Sequence, residues 1–240
     1  MEREDLVKTV LPLFQAARLY HRHEVVGLDR VPHDGRMLFV VNHSLATYDI
    51  MLLMTALYTD LGRLPRPLID RLFFKVPYLS ELVTLFGSVQ GSQENAEKLL
   101  AADEIVTVAP GGMREALRPS TERYQIRWER RIGFVRLAMR TGAPVVLAAC
   151  PKADDLYEVY PSHLTAWFYR RFKVPVVLAR GLAFTPLPRP VKLVHVLSEP
   201  LMPPRWTDDE EANERAAREF HGQLIERMHG LISQAIQYRP

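Results

Sequence analysis

The sequence predicts an α/β fold: a single domain with a central mixed, largely parallel sheet flanked by helices, an N-terminal amphipathic helix and a long C-terminal helix. Three observations carry this. Short β-branched apolar runs alternate with segments of helical period, the pattern of a sheet wound with helices. Two of those runs, 37–41 and 105–108, end abruptly in polar turns. A length of 240 residues with 48% apolar content is enough for one sizeable core.

Taken in order, residues 1–23 form an N-terminal amphipathic segment and 24–240 the domain proper. A helix is expected over about 5–20, where Leu6, Val10, Leu13, Phe14, Ala17 and Leu19 approximate one apolar face. That face suits either its own domain or a membrane surface. Strands follow at 24–27 and 37–41, then a helix over 48–58 and a connection containing Arg63, Pro65 and Pro67. A short strand at 68–70 precedes a helix at 78–86. Ser92-Gln93-Glu94-Asn95 reads as a capping segment for the next helix, which runs to 102. The run 105–108 is a strand that ends at Pro110-Gly111-Gly112. The helix 132–141 stops at Gly142, with Pro144 just beyond, and 145–149 is a strand. Later strands are expected at 178–184 and 192–197. Thr207, followed by Asp208, Asp209 and Glu210, is expected to open a closing helix to 237. Residues 152–175 break the rhythm with Asp154-Asp155 and Trp167-Phe168-Tyr169-Arg170-Arg171-Phe172, either a lid or membrane-facing element or a helix packed over the sheet.

Candidate chemistry sits at the two strand ends. His43 leaves the first strand and Asp49 follows six residues later, at the start of an apolar helix. An imidazole oriented by a carboxylate can act as a general base. The same pair also fits a turn-capping His with an Asp in a helix's first turn. At the second strand end, Gly111 and Gly112 leave backbone amides uncovered beside Arg114 and Glu115. Such amides can cradle an oxyanion, with Arg114 holding a polar substrate group and Glu115 orienting Arg114. An ordinary strand-to-loop turn fits these residues too. Strand carboxyl ends are where open α/β sheets gather ligands.

Several classes are set aside. A formal charge of +3 demands neither nucleic acid nor a membrane. No secretory signal and no uncharged apolar run of about 20 residues is evident. Cys150 is the single cysteine, so no internal disulfide forms, and its strand setting makes packing its expected role. No Gly-x-Ser-x-Gly segment marks a serine hydrolase. His21, His23, His33, His163, His195, His221 and His229 lack a metal-ligand spacing, so no metal and no cofactor is expected.

Together these blocks resemble the glycerolipid acyltransferases of the 1-acylglycerol-3-phosphate acyltransferase type. In that family a strand leads into Asn-His, four residues and an Asp, and a later strand into a Phe-Pro-Glu-Gly-Thr-Arg-like turn. Here Asn42-His43 is followed by five residues before Asp49, and Gly111 stands where the family usually has Glu. Both departures resemble the diacylglycerol acyltransferase-like and phytyl-ester-synthase-like branch, with its Pro-Gly-Gly-x-Arg-Glu-Ala-Leu string. The resemblance extends through Phe86–Ala96, Arg131–Ala138 and Gly142–Val146.

It implies transfer of a fatty acyl group from an acyl-thioester donor (acyl-CoA or acyl-carrier protein) to a lipid hydroxyl. His43 and Asp49 would be catalytic, and Gly111, Gly112, Arg114 and Glu115 substrate-binding. Phosphate-handling members commonly carry an arginine after Phe-Gly, whereas 86–96 holds no Lys or Arg. A neutral acceptor, a diacylglycerol or long-chain alcohol, therefore fits better than a phosphorylated one. Arg63, Arg66, Arg71 and Lys75 lie just upstream. The resemblance also implies a cytoplasmic protein peripheral to the membrane. The alternatives are a 1-acylglycerol-3-phosphate acyltransferase, a thioesterase or lipid hydrolase, and a non-catalytic lipid-binding protein.

Overall fold

Seven strands form the central sheet, and their order explains where the chemistry falls. The computed structural model describes residues 3–75, 79–161, 167, 171 and 177–239. The chain runs through α1 (Arg3–Tyr20), β1 (Glu24–Val26), β2 (Met37–Val41), α2 (Tyr48–Leu61), β3 (Arg66–Ile69), α3 (Leu79–Leu85) and β4 (Val89–Gln90). It continues through α4 (Gln93–Ala101), β5 (Ile105–Val108), α5 (Gly112–Ala116), α6 (Gly133–Thr141) and β6 (Val145–Ala149). Then come β7 (Glu158–Val159), β8 (Ala179–Arg180), β9 (Val194–Leu197) and α7 (Glu210–Gln237).

The sheet order is β1-β9-β6-β2-β5-β3-β4. The five strands from β6 to β4 are mutually parallel. β9 joins β6 antiparallel and β1 joins β9 parallel, so one edge of the sheet is reversed. This is the expected mixed, largely parallel sheet.

β2 is buried along its whole length, and its side chains alternate between two layers. Leu38 and Val40 pack with α4, α6 and α7, joined there by Leu100, Leu137 and Leu224. Met37, Phe39 and Val41 point to the other face, against Ile50, Leu53, Met54 and Leu57 of α2. A central parallel strand covered on both sides needs an unbroken apolar run, which explains why β2, β5 and β6 have the limits read from sequence. Phe39 sits between Thr107 and Val146 with no exposed surface. Phe39→Ala is expected to cost about 3–5 kcal/mol, read as a lowered midpoint in urea unfolding.

Helix ends follow local chemistry. Ser92 accepts a hydrogen bond from the Asn95 amide, the cap its sequence announced. Gly62 and Gly142 close α2 and α6 in the left-handed region, at φ 68° and 63°. α1 lies against α2 and α3, with Phe14 edge-on to Phe86 at 5.6 Å. Its Leu13 and Leu19 face outward. No helix among the described residues is long and apolar enough to cross a membrane.

Two expectations are corrected. Segment 178–184 is not a sheet strand: β8 pairs only with β7 in a small antiparallel ribbon, and 182–184 is a 3-10 turn. Leu178 and Leu182 are exposed there, so their apolar character is not that of a core strand. The cap of α7 is Asp209, whose side chain accepts from the Ala212 amide, rather than Thr207. Thr207 pairs instead with Asn213. Of the aromatic-basic cluster, only Trp167 and Arg171 are described; Phe168, Tyr169, Arg170 and Phe172 lie outside the described residues, as does Tyr78.

Candidate active site

Parallel pairing brings the two polar turns side by side. Val40 is in register with Val108, and Val41 with Ala148, so residues 42–44, 109–112 and 150 leave the sheet together. Asn42 is buried and fixes this junction: its Oδ1 accepts from the Cys150 amide at 2.7 Å, and its Nδ2 donates to the Cys150 carbonyl. The side chain thus extends the ladder by one residue pair. Cys150 itself is fully buried, a packing residue as expected.

His43 lines a cavity of about 680 Å3, whose apolar wall includes Ile50, Met51, Met54, Phe73 and Phe86. Its Nδ1 lies 3.0 Å from the Ser44 carbonyl. A carbonyl only accepts, so this assigns the proton to Nδ1 and leaves Nε2 bare. Burial pushes the His43 pKa down to about 4, helped by Arg118 and opposed by the Ser44 carbonyl. The ring is therefore neutral at physiological pH, the form a general base requires.

Asp49 is also buried, but its carboxylate does not meet His43. The Ser44 hydroxyl donates to its Oδ1 at 2.5 Å, and His195 Nε2 stands 3.8 Å from its Oδ2. Ser44 thus joins the pair, its carbonyl facing the base and its hydroxyl the acid. Burial raises the Asp49 pKa to about 7; the Ser44 hydroxyl and Arg118 lower it, and Asp154 raises it.

The Pro-Gly-Gly turn differs from expectation in three ways. Glu115 does not orient Arg114 and cannot touch substrate. It is fully buried, with Oε1 accepting from the His43 amide at 2.6 Å and Oε2 from the Arg127 amide at 2.7 Å. Arg114 is exposed and pairs with Glu129 at 3.1 Å. The Gly112 amide is not free for an oxyanion, because it closes the turn onto the Ala109 carbonyl at 3.0 Å. The Gly111 amide has no such partner among the described residues. Gly111 is needed for space: a Cβ there would fall inside the Glu115 carboxylate. Gly112 is needed for conformation, with φ at +51°.

Several residues join the site that motif reading did not reach. Arg118, buried, donates to the carbonyls of His43 and Glu115, each at 2.8 Å, and pairs with Asp154. Asp154, whose side chain is largely buried, is the counter-ion of that arginine and also accepts from the Tyr124 amide. The Glu115–Arg118 spacing of three residues on a helical turn was the signal for the first of these. Arg131 clamps the Pro110 and Gly111 carbonyls at 2.8 Å each and reaches the cavity wall. His195 had no signal at all.

A profile of the diacylglycerol acyltransferase family matches residues 55–237, about three quarters of the chain. The chain belongs to this family. The match takes in the Pro-Gly-Gly turn, Glu115, Arg118, Arg131 and His195, and begins after His43 and Asp49. A human relative, described as a DGAT1/2-independent enzyme synthesizing storage lipids, is 30% identical over 196 residues, 81% of this chain and 58% of its own length. The chain thus spans somewhat over half of that relative. An uncharacterized protein of Mycobacterium tuberculosis is 29% identical over 155 residues, covering 63% of this chain and 43% of that protein. Among solved structures, the crystal structure of the 1-acyl-sn-glycerophosphate acyltransferase PlsC from Thermotoga maritima shares the fold. Its TM-score is 0.55 at 17% identity, covering 94% of this chain and 81% of that one.

Proposed function

We propose that this member of the family transfers a fatty acyl group from an acyl-thioester to the hydroxyl of a neutral lipid, working at a membrane surface on the cytoplasmic side. One observation carries the reading: His43, whose Nε2 carries no proton, lines a large cavity with a mainly apolar wall. His43 Nε2 takes the acceptor's hydroxyl proton as its oxygen bonds to the thioester carbonyl carbon. The resulting oxyanion forms beside the Pro-Gly-Gly turn, whose Gly112 lines the cavity. When the carbon–sulfur bond breaks, the imidazolium returns the proton to the departing thiolate. Base assistance of this kind is worth roughly 10²–10⁴-fold in rate. Arg114, exposed beside the turn and paired with Glu129, would meet the polar end of the donor.

Three observations support a neutral acceptor. Segment 86–96 holds no Lys or Arg. Asp70 sets a negative charge beside Arg71 at the cavity wall, and Arg131 is committed to two backbone carbonyls. The human relative is described as synthesizing storage lipids. The exposed Leu13 and Leu19 on α1 support contact with a lipid surface.

The test supplies labelled palmitoyl-CoA and vesicles carrying a diacylglycerol, a long-chain alcohol or lysophosphatidate, with glycerol-3-phosphate and water as further arms. Ester on a neutral acceptor supports the proposal, and flotation of the protein with the vesicles reports surface contact. Ester on a phosphorylated acceptor would overturn the acceptor assignment. Free fatty acid alone would make the protein a hydrolase.

The cavity also sets an expectation for chain length. Met51 lines its apolar wall, and an indole there would fill part of the channel. Met51→Trp is expected to lower palmitoyl transfer roughly 10-fold or more while sparing an eight-carbon donor. Rates with the two donors check this directly.

A further inference from the structure

From Asp49 a row of nitrogens, buried at His195 and His23 and partly buried at Arg18, runs back to α1. Arg18 Nε donates to His23 Nδ1 at 3.2 Å, and His23 Nε2 lies 2.8 Å from His195 Nδ1. His195 Nε2 in turn faces Asp49 Oδ2, a buried oxygen with no hydrogen bond of its own. His23 and His195 are 172 residues apart in sequence, and both are buried.

One fact orders the whole row. A guanidinium can only donate, so His23 Nδ1 must be an acceptor and its proton sits on Nε2. That proton points at His195 Nδ1, which must then accept, leaving the His195 proton on Nε2. The N–H so defined points at the unpaired Asp49 oxygen. Burial keeps both rings neutral, since it lowers the pKa of each. Asp49, Cys150 and His195 offer atoms within 4.8 Å of one another, a spacing that a metal could also bridge. A proton on His195 Nε2 is incompatible with ligation through that nitrogen, so the arginine-set tautomer favours the hydrogen-bonded reading.

We propose that His195, held in one tautomer by His23 and Arg18, is a positioning residue for the reaction: its Nε2–H secures Asp49, and through Ser44 the base His43. This rests on the acyl-transfer reading above. At 3.8 Å the contact in this structure is electrostatic, and the proposal requires it to shorten to a hydrogen bond when Asp49 is ionised. The groups facing Asp49 are the Ser44 hydroxyl, His195, the Cys150 thiol, Arg118 and Asp154. The Asp49 backbone amide also acts on the carboxylate, the Cys150 thiol lies within 4.8 Å of it, and His195 Nε2 stands 3.8 Å from Oδ2.

The sign of the pH effect follows. A donor to the carboxylate favours its ionised form, so losing it raises the Asp49 pKa and moves the acid limb of activity to higher pH. His195→Met, similar in bulk but without a donor, is expected to lower kcat roughly 10- to 100-fold, the range for a lost hydrogen bond to a charged group, with KM unchanged. Its acid limb should shift upward. His195→Gln, whose amide nitrogen reaches the Nε2 position, should return the limb toward wild type.

A spectroscopic measurement decides the tautomer without any variant. In 15N-histidine-labelled wild-type protein, His195 should show a protonated Nε2 and an accepting Nδ1. A protonated Nδ1, an unmoved acid limb in His195→Met, or stoichiometric zinc lost on Cys150→Ser would each overturn the proposal. Should the wild type be inert with every acceptor, the acyl-transfer reading fails on its own and the nitrogen spectrum still rules on the relay.

Discussion

His43→Ala is expected to lower ester formation roughly 10²–10⁴-fold while leaving the fold intact. The two halves of that expectation come from different atoms of the same residue. The chemistry is in the ring, whose Nδ1 is turned to the Ser44 carbonyl and which lines the cavity. The structural tie is in the main chain, where the His43 amide donates to Glu115 and its carbonyl accepts from Arg118. Alanine keeps both main-chain bonds and deletes only the base. A steady-state rate with palmitoyl-CoA, set beside a thermal melt, separates the effects: the rate should collapse and the melt should barely move. A variant that keeps its rate would show that His43 is not the base of the reaction.

Glu115→Ala should behave in the opposite way and unfold the site. This carboxylate is fully buried, holds the amides of His43 and Arg127, and lies beside the guanidinium of Arg118. Burial raises its pKa, while the two amides and Arg118 favour the charged form. Removing it strands two partly buried amides and leaves Arg118 with Asp154 as its remaining acidic partner. Breaking a buried charged cluster from one side costs about 3–5 kcal/mol. For a chain of this size that is a fall in Tm of roughly 10 °C. Glutamine is no remedy, because its amide group would set a donor against one of the two backbone donors. Melting and activity should therefore fall together in both variants, in contrast to His43→Ala.

The sheet was legible where burial is two-sided. β2 and β6 are unbroken apolar runs, and β5 is β-branched throughout with Thr107 its one polar residue, so the limits of all three could be read directly. The misread segment 178–184 contains Leu178 and Leu182, apolar residues that stand in solvent, and composition alone does not tell a core strand from such a ribbon. His43, Asp49 and the Pro-Gly-Gly turn were visible because each follows a strand end. The supporting polar residues were not. Arg118 meets Asp154, and His195 meets Asp49 and His23, only after the chain has folded, and neither meeting leaves a periodic trace. Even Asp49 was placed correctly and paired wrongly, since Ser44 stands between it and the base.

The Gly111–Glu115 contact makes two positions rivals for one volume. A side chain at 111 would occupy the space that the carboxylate from 115 already fills, so this backbone admits an acid from one position or the other. Aligned column by column, Gly111 looks like the deletion of an acidic residue. In space, the volume beside position 111 holds the carboxylate carried by Glu115, one helical turn further on. Substitutions at the two positions should accordingly be strongly non-additive. Conservation scored at either position singly would underestimate how tightly the pair is constrained.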